Sequence, residues 1–210
     1  MTDEQNTGYH AYGRYCGYRD AAWRCLYDYE IDHLPVDVRR IASESGLRVV
    51  MDAELHMLRS GERGMAFFDG VRWSIVIDGN QTVEGMRYTI AHEMGHIFLG
   101  HGLETESMAL AAPDRLMRPE LTALHEREAD NFAIRLLCPA CVLWALDLHT
   151  AQEIATACRV PMAEAKKRAA RMTTLYKRNC FLSGELERKV FSRFEGCIRE
   201  EQRKYGLPVE

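Results

Sequence analysis

Apolar positions change period along this chain, and the change marks a small sheet set between helical stretches. Residues 19–31 read as a helix. Pro35 to Ser45 reads as a second, with Pro35 in its first turn and Gly46 at its C-terminal cap. Leu47 to Met51 is a short strand. Met65–Phe68 and Val71–Ile77 flank Asp69-Gly70, the signal of a hairpin with a two-residue turn. Asp78-Gly79-Asn80 then leads into a helix over residues 83–100. A further amphipathic run, Leu121 to Leu137, lies between Pro119 and Pro139. Beyond it, Thr150 and Glu153 form a capping box, Val160-Pro161 interrupts, a helix follows from Pro161 to about Lys177, and another runs from Ser183 to about Lys204. Ahead of all this, Tyr9, Tyr12, Tyr15 and Tyr18 recur among Gly8, Gly13 and Gly17, an arm expected to pack on the domain's own surface. The expected fold is α+β, a small mixed or antiparallel sheet packed on one central helix, followed by a helical C-terminal region. The expected divisions are an arm and helix over 1–30, a core over 31–149 and a helical extension over 150–210.

With 210 residues, 47% of them hydrophobic, the chain can bury a proper core. A net charge of −4 argues against coating nucleic acid or an anionic membrane, and no apolar run is long enough to span a bilayer. The polar, acidic opening Met1–Asn6 implies no signal peptide. Seven cysteines without a disulfide-like framework suit a reducing cytoplasm. Cys138-Pro139-Ala140-Cys141 has the C-x-x-C spacing, but lacks both a second pair and a βαβ context, so it is read as two semi-buried thiols at a helix start. Residues 150–177 resemble a helix-turn-helix pair. Residues 159–178 carry Arg159, Lys166, Lys167, Arg168, Arg171, Lys177 and Arg178 against Glu164. The turn lacks glycine and carries proline, so a basic solvated face is preferred to direct nucleic-acid binding.

The chemistry concentrates in His92-Glu93-Met94-Gly95-His96, an H-E-x-x-H on the 83–100 helix. Residues four apart lie one turn above each other, so His92 and His96 reach one metal ion. Glu93, about 100° around from His92, lies beside that ion rather than on it, where a base takes a proton from water. A hydrolytic zinc site wants a third protein ligand and an open position. Gly100 and His101 miss the metzincin spacing H-E-x-x-H-x-x-G-x-x-H. On a continuing helix His101 points away from His96, so it is read as a helix-end residue near the last carbonyls. Glu126 and Asp130, four apart in the Leu121–Leu137 helix, suit the site better. Glu126 completes a two-histidine, one-glutamate set, and Asp130 accepts the outward N–H of a ligand histidine. Glu128 projects about 200° from Glu126, so the two do not serve one metal.

Arg87-Tyr88-Thr89-Ile90-Ala91-His92-Glu93-Met94-Gly95-His96, followed by Glu126-x-Glu128-Ala129-Asp130-x-Phe132-Ala133-x-x-Leu136-Leu137-x-Pro139, resembles the ImmA/IrrE metallopeptidases. The family usually has asparagine where Asp130 stands and often methionine at Cys138; aspartate still accepts a hydrogen bond and cysteine still fills an apolar position. The likeness covers about residues 30 to 160. It implies a zincin-like core with a thermolysin-like site: one zinc per chain on His92, His96 and Glu126, Glu93 as base and later proton donor, and Asp130 behind the ligands. It further implies a cytoplasmic endopeptidase of narrow specificity whose protein substrate is a helix-turn-helix repressor, cut by Glu-assisted attack of zinc-bound water. The alternative is a metal-containing regulatory module that binds protein or DNA and cuts little. His125, Tyr88 and residues 102–118 are candidates to steady the oxyanion, and 102–118 is also a candidate loop over the cleft. The 71–77 strand is expected to be the sheet edge that receives a substrate strand. Oligomeric state does not follow from the sequence.

Overall fold

The computed structural model describes residues 17–101 and 119–204, so most of the tyrosine arm and the 102–118 connection lie outside the described residues. In chain order the elements are α1 (Tyr18–Asp28), α2 (Val38–Glu44), β1 (Arg48–Met51), β2 (Gly64–Phe68), β3 (Trp73–Ile77), α3 (Val83–Leu99), α4 (Pro119–Leu137), α5 (Ala140–Ala145), α6 (Ala151–Cys158), α7 (Met162–Arg178) and α8 (Glu185–Lys204). The protein is α+β, with one three-stranded mixed sheet and a helical C-terminal region. Contacts divide the chain into two compact units. One is built on Val38–Ala133, the other on Ala22–Asp37 together with Ile134–Glu210. α2 starts three residues later than expected, leaving Pro35 ahead of the helix rather than in its first turn.

In the first unit the strand order is β1-β3-β2, with β1 parallel and β2 antiparallel to β3. This corrects the expectation that 71–77 is an edge: Ser74–Ile77 are all buried, as the apolar run of a strand paired on both sides should be. The edges among the described residues are β1 and β2. The hairpin between β2 and β3 is present, but its turn is longer than two residues. Phe68 pairs with Trp73, leaving Asp69–Arg72 as a four-residue loop. Asp69 Oδ1 accepts the N–H groups of Val71 and Arg72 at 2.9 and 2.8 Å, so the loop is spanned by the Asp69 N–H to the Arg72 carbonyl, 3.2 Å, without the reciprocal bond.

β2 and β3 both pack on α3. That helix starts at Thr82, whose hydroxyl accepts the Gly85 N–H, and stops at Gly100 in the left-handed conformation (φ 81°). Ile90, Ala91, Met94, Ile97 and Phe98 form its buried face. α3 and α4 approach backbone to backbone. A Cβ built at Gly95 meets Ala129 Cα at 3.0 Å and Ala129 O and a Phe132 ring carbon at 3.2 Å. One turn on, the Phe98 and Phe132 rings meet edge to face, 5.9 Å apart. Glycine at this position allows α3 to carry its histidines close to α4. Gly95→Ala is therefore expected to lose roughly 1–3 kcal/mol to overpacking, more than alanine's helix preference of about 1 kcal/mol restores. A denaturant midpoint that does not fall would show that the two helices part without cost.

In the second unit the capping box at Thr150 and Glu153 is present in full and opens α6. Arg159 joins α6 to α7 in the left-handed conformation (φ 50°), a role glycine ordinarily fills. The basic face needs one correction. Arg168 is 4% exposed, on the same side of α7 as the buried Ala165 and Met172, and leaves Lys166, Lys167 and Arg171 to solvent. Cys138 and Cys141 are fully rather than partly buried, and the described cysteines are free thiols. No helix among the described residues is long and apolar enough to cross a membrane.

Candidate metal centre

α3 and α4 bring three of the expected residues to one point. His92 Nε2 and His96 Nε2 stand 3.1 Å apart. The Glu126 carboxylate lies 3.3 Å from the first and 3.4 Å from the second. Each offers one ligand atom, and the three atoms lie within 4.8 Å of one another. Donors set tetrahedrally at roughly 2.0–2.1 Å from zinc stand about 3.3–3.4 Å apart, so the residues present fit such an ion. The histidines are largely covered, while the Glu126 side chain is 55% exposed, so the group opens to solvent on the carboxylate side.

Asp130 lies behind His92: Oδ1 is 3.1 Å from His92 Nδ1 and accepts the Tyr88 hydroxyl at 2.9 Å. Burial pushes the His92 imidazole down, but hydrogen bonds to Asp130 and Glu126 outweigh it and bring it up to about 10. Hydrogen bonds from His92 and His96 hold the Glu126 carboxyl well below the usual carboxylate range. The three side chains thus make a tight acid–base cluster in which a divalent cation can replace a proton.

A family model described as the IrrE N-terminal-like domain, of peptidase family M78, matches residues 42–170, more than half of the chain and all of this cluster. The chain belongs to this family. It therefore carries a metallopeptidase-type domain whose His92, His96 and Glu126 can hold a metal ion. A comparison with curated proteins finds no match.

Glu93 of the M78 domain lies beside the cluster and is 8% exposed. Burial raises its carboxyl, while His92, His96 and a hydrogen bond from the Ala66 N–H on β2 act the other way. Gly64 on the same strand lets β2 close on α3: a Cβ there would clash with Thr89 Cγ2 and meet the Val76 carbonyl at 3.1 Å, while Glu93 Oε1 would lie at 3.4 Å, an ordinary contact. Nothing in the local pattern marks Gly64; the close approach exists only once β2 lies on α3.

His101 is the largest departure from the sequence reading. Rather than pointing away, its Nδ1 lies 3.1 Å from His96 Nδ1, and its Nε2 lies 3.1 Å from the Glu128 carboxylate. The ring is buried and stacks on His125, centroids 4.1 Å apart and planes within 6°. The physical reason is Gly100. Its left-handed turn ends the 100° per residue progression, so His101 swings back over the last turn of α3. The glycine before His101 was the available signal. Of the oxyanion candidates, Tyr88 is held on Asp130 and His125 lies flat on His101, while 102–118 is outside the described residues.

Proposed function

We propose that this M78 domain is a zinc-dependent endopeptidase of narrow specificity that acts in the cytoplasm and cuts a helix-turn-helix repressor. The observation that carries the reading is the convergence of two imidazole nitrogens and one carboxylate beside a buried glutamate. A tie that serves only to hold metal has no need of that glutamate.

Zinc on His92, His96 and Glu126 supplies a Lewis acid that polarises a peptide carbonyl and makes an adjacent water more acidic. Glu93 accepts the proton of the water that adds to the carbonyl and returns it to the leaving amine. Both halves of that task suit a carboxyl whose affinity for protons burial has raised. Asp130 fixes the His92 ring from behind. With β3 central, β2 is the edge that lies against the active-site helix, and we assign it the role of pairing with an extended substrate segment.

The test is a search for new N-termini by mass spectrometry in a lysate of the source cells incubated with zinc-loaded protein, with and without chelator. Chelator-sensitive cuts confined to one or a few DNA-binding repressors are the expected result. No new N-terminus from metal-loaded protein would turn the reading to a regulatory module that binds without cutting.

Asp130 supports a further expectation. Asp130→Ala leaves His92 and Tyr88 without their shared acceptor and should weaken zinc about 10- to 100-fold, whereas Asp130→Asn keeps an acceptor and should stay near wild type. Competition against a chromophoric chelator measures both. Equal affinity in the alanine variant would remove Asp130 from the site.

A further inference from the structure

We propose that His101 and Glu128 form a relay that fixes the ring and tautomer of His96, so that the two ligand histidines are each anchored to a carboxylate of α4, one directly and one through an intervening imidazole. The inference deepens the metal-site reading and rests on it.

His96 faces the ligand cluster through Nε2, 3.1 Å from His92 Nε2 and 3.4 Å from Glu126 Oε1. A neutral imidazole that offers a lone pair at Nε2 carries its proton at Nδ1. That proton needs an acceptor, and the atom facing it at 3.1 Å is His101 Nδ1. If His101 accepts at Nδ1, its own proton sits at Nε2 and needs an acceptor in turn. Glu128 Oε2 lies 3.1 Å from that nitrogen. Each contact thus determines the next: His96 Nδ1–H donates to His101, and His101 Nε2–H donates to Glu128. The reverse tautomers would put a proton on His96 Nε2, where the metal belongs.

The surroundings hold this arrangement in place. His101 is buried and lies flat against His125, so its ring cannot turn freely. Gly100 supplies the left-handed turn that places His101 there. On α4 the acidic residues at 126, 128 and 130 then divide the work. Glu126 faces the cluster, Asp130 on the same side takes the Nδ1 of His92, and Glu128, about 200° from Glu126, is reached only because His101 extends around the helix. Glu128 and His101 touch no ligand position themselves. They are positioning residues acting through His96, and supports of this kind characteristically contribute about 10- to 100-fold in metal affinity.

The experiment measures zinc affinity of metal-stripped protein by chelator competition, with the visible spectrum of the cobalt-loaded protein as a second readout, for wild type, Glu126→Ala, His101→Phe, Glu128→Ala, Glu128→Gln and the His101→Phe/Glu128→Ala double variant. His101→Phe and Glu128→Ala should each bind zinc about 10- to 100-fold more weakly and shift the cobalt bands. Glu128→Gln, which still accepts a hydrogen bond, should recover most of the loss. The double variant should be no weaker than the worse single variant, because Glu128 acts only through His101. Wild-type affinity in His101→Phe, or losses that multiply in the double variant, would overturn the relay. Should His101→Phe fail to fold, two measurements decide in its place: the Glu128→Ala and Glu128→Gln pair, and nitrogen-15 imidazole shifts of zinc-loaded wild type. Protons on His96 Nδ1 and His101 Nε2 support the relay, and the opposite tautomer overturns it. Wild type and Glu126→Ala report on the metal site itself: if wild type takes up no metal, or Glu126→Ala binds as tightly, the failure belongs to the site and not to the relay.

Discussion

Glu93→Gln is expected to keep one zinc per chain and to lower peptide cleavage by about 10²- to 10⁴-fold, the range that general acid–base catalysis contributes. The substitution preserves the shape of the side chain and leaves His92, His96 and Glu126 untouched. What it removes is the capacity to take a proton from water and give it to the leaving amine. Because the glutamate is buried and its charged form is disfavoured there, a neutral amide should cost no stability, so unfolding cannot account for lost activity. Metal content and cleavage rate on the same preparation check the pair of outcomes. Undiminished cleavage with zinc bound would remove Glu93 as the base.

Glu126→Ala should have the other large effect, the loss of zinc itself. It deletes one of three ligands and leaves two histidines facing each other 3.1 Å apart. Stoichiometry should fall from one zinc per chain toward none, whereas Glu128→Ala should still fill to one at saturating metal, its loss appearing only as weaker affinity. Thermal unfolding gives an independent readout. A ligand held by the native state alone adds about 2.7 kcal/mol at 100 times its dissociation constant, so added zinc should raise the wild-type transition and leave that of Glu126→Ala where it was. A full zinc complement in Glu126→Ala would mean that the third ligand is a different residue.

How much of this could be read from the chain depends on the distance over which each feature is decided. His92, Glu93 and His96 lie on one helix, and their relation follows from helical geometry alone. Glu126 and Asp130 were legible for the same reason, as a pair on one face of a second helix. Arg168 was also legible in principle. It lies three residues after Ala165 and four before Met172, on the buried side of α7, although the count of basic residues made it look like part of a solvated face. Gly100 and His101 show where periodicity misleads: extrapolating 100° per residue through a glycine that ends the helix put His101 on the wrong side.

Other features could not be read from neighbouring residues. β3 became a central strand because Arg48–Met51, about 25 positions earlier, paired with it in parallel, and nothing in Trp73–Ile77 names that partner. Gly64 makes room because β2 lies on α3 against Thr89, and Gly95 because α3 and α4 meet backbone to backbone. By itself, then, the sequence determined the α+β character, the helices that carry the candidate ligands and the chemistry of those ligands, because propensity, capping and residue type act over one or two turns. Only the tertiary structure decided which strand lies at the edge, which glycines make room, and that His101 and Glu128 stand behind His96, because each of these is set by surfaces that meet after the chain has folded back on itself.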